Sequence, residues 1–155
     1  MNVFLGLHVA LAALVAVGVL PAGGPPFWLA FLFPTSLAWA IQRFGVRRAG
    51  GLFAVTYAIT FVAEAWGQAF GLFGAHYAYA PAAWAPLPTA LLPAVVPVMW
   101  FMMMMPSYAV ARAAFPRGRV AVAVLGGLGM TAWGVALDAT SVRAGLWAWS
   151  SGTPS

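Results

Sequence analysis

The chain has 155 residues, of which 64% are hydrophobic and 6% charged. So few polar side chains cannot cover a globule in water, which excludes an ordinary soluble domain and indicates that lipid is the solvent. Basic residues outnumber acidic ones by seven to two, but they cluster between apolar runs, which is typical of cytoplasmic loops and not of a nucleic-acid surface. The chain has no cysteine, so disulfides, thiolate metal ligands and thiol nucleophiles are excluded.

Apolar runs separated by turn-forming residues predict five membrane-spanning helices. The predicted spans cover residues 3–20, 27–43, 52–70, 91–114 and 120–138. The first run lacks the basic start of a signal peptide, so we expect it to be retained as a helix. The segment Gly45 to Gly51 is expected to break the chain between the second and third spans.

The stretch 71–90 is rich in Tyr, Trp and Pro and is predicted to be an interfacial loop, because Tyr and Trp favour the headgroup level. Arginines cluster at residues 43–48 and again at 112–119. If both clusters are cytoplasmic, the amino terminus lies inside and the loop 71–90 lies outside. The predicted fold is therefore all-α, a polytopic transmembrane helix bundle of about five spans that forms a single domain over residues 1–155.

Glu64 and Asp138 are the only carboxylates of the chain, and both fall in or at the end of apolar helices. Ionisable groups in such places are costly and usually face the bundle interior. Gln68 lies one helical turn after Glu64 and shares its face. The helical rise places both acids toward the same side of the membrane, where the loop 71–90 also starts, so a shared cavity is possible.

A carboxylic acid in so apolar a place can stay protonated near neutrality and act as a proton donor. The alternative is structural, with Glu64 as a neutral acid bonded to a neighbouring helix and Asp138 as the partner of Arg143. His8 and His76 are isolated and lack the spacing of metal ligands, so no metal site is predicted. No nucleotide or flavin motif occurs either, and we expect no cofactor.

Four motifs follow one another in the second half of the chain. They are Glu64-x-x-Gly67-x-x-x-Gly71-x-x-Gly74, His76-Tyr77-x-Tyr79, Pro93-x-x-x-Pro97-x-x-Trp100-Phe101-Met102-Met103, and Asp138 followed by Gly145-x-Trp147-x-Trp149. In order and spacing this series resembles the membrane carotenoid hydratases, a family that includes the bisanhydrobacterioruberin hydratases and the γ-carotene 1',2'-hydratases. The resemblance covers residues 61–149.

The resemblance implies an enzyme of carotenoid biosynthesis, a lyase of the carotenoid 1,2-hydratase type in the cell (inner) membrane. Its expected substrate is a carotenoid similar to lycopene or γ-carotene, taken from the lipid bilayer, and other carotenoid enzymes are possible partners. Adding water to a terminal double bond needs an acid and a stabilised cation. The resemblance assigns catalysis to Glu64 and Asp138 and substrate binding to the polar and aromatic residues Tyr77, Tyr79, Trp100, Trp147, Gln68 and His76.

Two other functions remain open at this stage. End-group cyclisation begins with the same protonation, but an internal double bond captures the cation. A non-catalytic carotenoid-binding or assembly protein would use the two acids only to hold helices together. Members of the family usually continue through further membrane sequence after the last motif, so we expect this chain to be a shortened relative or a fragment.

Overall fold

A computed structural model describes residues 25–71, 75–84 and 92–151. Within these residues the chain forms four long helices, which are α1 Pro25–Phe44, α2 Val46–Phe70, α3 Leu92–Ala114 and α4 Arg119–Arg143. Each coincides with one of the predicted spans from the second to the fifth. The predicted first span, 3–20, lies outside the described residues.

The predicted break between the second and third spans is much shorter than expected. Only Gly45 leaves the helical conformation, with φ of 79°, and α2 resumes at Val46. Gly50 and Gly51 continue the helix, since a glycine pair weakens a helix without having to end it. Arg47 and Arg48 therefore belong to the first turn of α2 instead of a loop.

Three of the described helices are long and apolar enough to cross a membrane, namely α2, residues 94–114 of α3, and α4. Large apolar side chains point outward from α2 and α4, among them Ile59, Val62, Val124 and Leu128. In water such exposure would be costly, whereas lipid solvates these side chains well. The length and the outer faces of these helices agree with a polytopic membrane protein.

Helix α3 is the central helix, because it packs against α1, α2 and α4. Phe101 and Met105 of α3 are fully buried and form a core with Trp39 of α1. Pro106 lies inside α3 and cannot donate to the carbonyl of Met102, four residues earlier. The hydroxyl of Ser36 lies 3.5 Å from that carbonyl oxygen and donates to it, which is how a membrane helix tolerates an internal proline.

The fold also contains a small antiparallel sheet, so the prediction of an all-α chain is wrong in this detail. Strand β1 is Ala75–Tyr79 and strand β2 is Trp147–Ser151. The predicted loop 71–90 thus includes β1, which is followed by the short 3-10 helix Pro81–Trp84. Strand β1 packs against α2 and β2 packs against α4, so the sheet joins the ends of these two helices.

The aromatic residues of the two strands lie on one face of the sheet. Tyr77 is opposite Trp149 and Tyr79 is opposite Trp147, and alternate residues of a strand share a face. The N–H of Ala80 donates to the carbonyl of Leu146, and hydrogen-bonded pairs alternate with non-hydrogen-bonded ones. The aromatic pairs therefore take non-hydrogen-bonded positions, where opposite side chains come closest.

Candidate functional site

A cavity of about 250 Å³ lies between the membrane helices and the sheet. Helix α3 contributes its apolar floor, and the aromatic face of the sheet covers it. Both carboxylates of the chain, Glu64 on α2 and Asp138 on α4, reach into it. The remaining lining residues are Tyr77, Tyr79, Trp84, Val96, Met99, Trp100, Met103, Gly134, Leu137, Trp147 and Trp149.

Glu64 is held by strand β1 through a single carboxylate oxygen. The hydroxyl of Tyr77 donates to Oε1 at 2.7 Å, and the hydroxyl of Tyr79 donates to the same atom. The amide of Gln68, one turn along α2, lies 3.4 Å from Oε1. Within the described residues, Oε2 accepts no hydrogen bond and is not buried, so the second oxygen is left accessible.

Asp138 is held by strand β2 in the same manner. The indole N–H groups of Trp147 and Trp149 both donate to Oδ1 at 2.8 Å. In the described part of the chain, Oδ2 has no hydrogen-bond partner and is not buried. Each strand therefore holds one carboxylate through two aromatic donors that lie two residues apart in the sequence. The other oxygen of each carboxylate remains accessible.

The predicted alternative of an ion pair between Asp138 and Arg143 is wrong, since no such pair is found among the residues that the structure describes. Arg143 follows Asp138 by five positions on α4, which places the two side chains on different faces of the helix. Arg143 is exposed, whereas Asp138 turns toward the indoles of β2. The tryptophans thus take the place of a cationic partner.

The tyrosines that bind Glu64 are protected against ionisation. Burial raises the pKa of Tyr77 and of Tyr79 above the ordinary value for a phenol, and the nearby Glu64 carboxyl raises both pKa values further. A phenolate there would lose its solvation, and it could no longer donate a hydrogen bond to Glu64. Both hydroxyls therefore remain neutral donors over the physiological pH range.

The cavity combines an apolar lining with a few polar atoms. Val96, Met99, Met103 and Leu137 supply aliphatic and thioether surface, and the polar atoms belong to the two carboxyls and the groups that bind them. Small-molecule sites usually measure roughly 300–1,000 Å³ and have this mixed character. At about 250 Å³, the cavity has room for one end of a long apolar molecule.

Six of the eight predicted site residues line this cavity together: Glu64, Tyr77, Tyr79, Trp100, Asp138 and Trp147. Gln68 contributes indirectly, through its contact with Glu64. His76 lies on the opposite face of β1 from the tyrosines, and its imidazole packs over Gly71. The structure therefore brings the predicted acids and aromatics together but leaves His76 outside the cavity.

Trp149 was not among the predicted site residues, although its N–H binds Asp138 as closely as that of Trp147. Trp84 is a second omission. It is fully buried, donates to the carbonyl of Leu146 at 3.0 Å and packs on Tyr79. The sequence does contain a signal for such residues. Aromatic residues at alternate positions, as at Tyr77 and Tyr79, are typical of a strand that turns one face toward a site.

No metal centre is found within the described ranges, where no group of three or more His, Asp or Glu side chains could hold an ion. The polar groups among the residues that line the cavity are carboxyl, phenol and indole groups. Such a set can donate a proton, accept one and place aromatic faces beside a positive charge.

Comparison with known proteins gives one result at the level of the family. No curated protein and no solved structure matched the chain significantly. A family model described as carotenoid biosynthesis protein matches residues 26–154. This range includes every residue of the described helices except Pro25, the first residue of α1. It also includes both strands and every residue that lines the cavity. The chain therefore belongs to the carotenoid biosynthesis protein family.

Proposed function

We propose that the protein hydrates the terminal double bond of an acyclic carotenoid end group and produces a tertiary alcohol. The family supports a carotenoid as the substrate. The observation that carries the proposed reaction is that the only two carboxylates of the chain line one largely apolar cavity. Hydration needs an acid and a proton acceptor at the same double bond, and these two groups can supply both.

The reaction proceeds in two balanced steps. One carboxyl, in its acid form, gives its proton to the less substituted carbon of the double bond, whose electron pair forms the new C–H bond. The adjacent carbon becomes a tertiary cation. A water oxygen then bonds to that carbon, and the other carboxylate takes the proton that the water releases. No oxidant or reductant is required, since the net change is the addition of one water.

Aromatic faces beside the double bond would stabilise the cation. Trp100 and Trp147 line the cavity together with Tyr77 and Tyr79, and an aromatic face near a desolvated cation contributes about 0.5–2 kcal/mol. The apolar floor limits the amount of water at the cation, so that few waters compete with the positioned one. Both effects favour a cation in a site that holds few other polar groups.

The cavity accommodates only the end of such a substrate. At about 250 Å³, it takes an end group, while the long polyene lies against the outer helix surfaces and the lipid. We propose the cell (inner) membrane as the location of the protein, with the carotenoid entering sideways from the bilayer. Its proposed partners are enzymes in the same membrane that make acyclic carotenoids.

The first experiment compares the pigments of a bacterial host that makes lycopene and γ-carotene, with and without this chain. We expect a product heavier by one water, detected by chromatography with mass spectrometry. Glu64→Gln and Asp138→Asn should both abolish it while the protein still accumulates in membranes. Thr140→Ala is the matched control, because Thr140 is exposed on α4 and its hydroxyl binds only its own helix.

Other outcomes would identify the alternatives. A product of unchanged mass with a ring at its end would indicate cyclisation. An unchanged pigment profile, with the protein present in the membrane, would favour a carotenoid-binding or assembly protein. Full activity in both carboxyl variants would contradict the proposed roles of Glu64 and Asp138.

A further inference from the structure

We infer that the two carboxyls have different tasks, with Glu64 delivering the proton and Asp138 facing the cation and taking the proton of the attacking water. This assignment rests on the proposed hydration. It follows from a difference between the groups that bind the two acids, because phenols surround Glu64 and indoles surround Asp138.

The groups that bind the two acids differ in the kind of hydrogen bond that they can form. A phenol hydroxyl can both donate and accept, whereas an indole N–H can only donate. The hydroxyls of Tyr77 and Tyr79 can turn as Glu64 gains or loses its proton, so their network suits both forms of the acid. Trp147 and Trp149 direct two fixed donors at one oxygen of Asp138, and neither indole can accept a proton and pass it on.

The indole rings lie beside Asp138. Trp147 and Trp149 both reach Asp138. Trp100 lies nearby as well, since its ring is 3.7 Å from the position a Cβ would take at Gly134, one turn before Asp138 on α4. Indole is the most effective ring for stabilising a cation. The rings that best stabilise a positive charge are therefore grouped around Asp138.

Glu64 and Asp138 therefore handle different protons. Glu64 gives its proton to the terminal double bond and becomes a carboxylate, and the cation forms on the side of the indoles. Water bonds to the cation, and its proton passes to the accessible Oδ2 of Asp138. Asp138 then releases that proton to water, and Glu64 regains one through the phenol hydroxyls. The cation can also return a hydrogen to Glu64, and where this is the hydrogen that the carbon carried before protonation, the restored alkene keeps the one that Glu64 delivered.

The reversibility of the first step provides the test. Membranes that contain the protein are supplied with lycopene in D₂O, and the recovered lycopene and the product are analysed by mass spectrometry. For Asp138→Asn we expect at least a tenfold loss of product, while the recovered lycopene still gains deuterium, because Glu64 continues to protonate it. For Glu64→Gln we expect neither product nor label.

The opposite pattern, with label lost in Asp138→Asn and retained in Glu64→Gln, would reverse the assignment. Loss of both signals in both variants, with unchanged melting temperatures, would overturn the division of tasks, since the carboxyls would then act as one unit. A wild-type protein that yields neither product nor label would refute the proposed hydration itself, and the assignment with it.

A second variant keeps the test decisive if Asp138→Asn does not fold. Replacing Trp147 and Trp149 together by Phe retains Asp138 and the ring surfaces but removes both N–H donors. We expect the ratio of product to deuterium label to fall at least tenfold. An unchanged ratio would contradict the role of Asp138 as the proton acceptor that the indoles hold in place.

Discussion

Tyr77 and Trp149 face each other across the two strands, with ring centroids 5.2 Å apart. The hydroxyl of Tyr77 donates to Glu64, and the indole N–H of Trp149 donates to Asp138. Two side chains in contact thus connect the carboxyl of α2 to the carboxyl of α4. Because strand register determines which residues face each other, the pairing of β1 with β2 determines how the two acids are placed.

Replacing Trp149 by Phe tests the contribution of this connection. The substitution keeps an aromatic ring beside Tyr77 but removes one of the two donors to Asp138. A hydrogen bond to a charged group contributes roughly 1.5–3 kcal/mol, and each 1.36 kcal/mol in the barrier is about a tenfold change in rate. We therefore expect at least a tenfold lower yield of hydrated carotenoid per amount of protein, measured by chromatography.

Trp133→Phe is the matched control for this substitution. Trp133 lies on α4 and has the same exposed fraction as Trp149, 41%, but it does not line the cavity. We expect its replacement to leave the yield unchanged. Equal yields from Trp149→Phe and from the unaltered protein would show that the N–H of Trp149 does not matter for the chemistry.

The helices could be predicted well from the sequence, because a long apolar run bounded by Gly, Pro or Arg has few alternatives in lipid. The predicted end of the span before the loop, at residue 70, agrees with the end of α2 at Phe70. Helix α4 continues to Arg143, five residues beyond its predicted end. Its last turn contains polar residues, which lower the apolar signal without ending the helix.

The strands could not be predicted in the same way. Each has only five residues, and its pairing partner lies about 70 positions away in the chain. Local patterns do not reveal such a pairing. The acids and most of the aromatics of the site could be identified, because carboxylates are rare in apolar helices. Which aromatic residue binds which acid depends on the register, so Trp149 was missed, and His76, predicted to bind substrate, lies on the face of β1 away from the tyrosines.

Gly71→Ala is expected to destabilise the connection between α2 and β1. Gly71 has φ of +78°, and a Cβ there would lie 2.8 Å from the carbonyl oxygen of Ala75. Such backbone strain costs on the order of 1–3 kcal/mol, and the contact with Ala75 adds to it. We expect a lower melting temperature in detergent and a lower product yield, since β1 carries both tyrosines that bind Glu64.

Gly51→Ala is the control for that variant. Gly51 lies within α2, and nothing is within 4 Å of its Cβ position. Alanine there should stabilise the helix by about 0.5–1 kcal/mol, so the melting temperature should stay the same or rise. If Gly71→Ala behaved like Gly51→Ala, the left-handed conformation of Gly71 would not matter for stability.

The raised pKa values of Tyr77 and Tyr79 predict a loss of stability at alkaline pH. In the folded protein these phenols keep their protons more strongly than in the unfolded chain. Their contribution to stability is therefore complete below pH 10, the ordinary phenol pKa, and decreases as the pH rises above it. We expect the melting temperature to fall above pH 10.

A double variant with Phe at positions 77 and 79 isolates this effect. It removes the two phenols that titrate beside Glu64, so the melting temperature should decline less steeply with pH above 10, even if its starting value is lower. Circular dichroism of the purified protein in detergent measures both slopes. Identical slopes would contradict the influence of burial and of Glu64 on these hydroxyls.

Gly134→Leu should block the cavity without changing either acid. Gly134 lines the cavity, and a Cβ there would meet the ring of Trp100 at 3.7 Å, so a longer side chain extends into the space beside Asp138. We expect the hydrated product to fall at least tenfold with little change in the amount of protein in the membrane.

Gly127→Leu serves as the control, because Gly127 is exposed on the same helix and nothing lies within 4 Å of its Cβ position. Full yield from both variants would contradict binding of the end group in the cavity between Glu64 and Asp138. A leucine at Gly134 occupies the space in which the end group would lie.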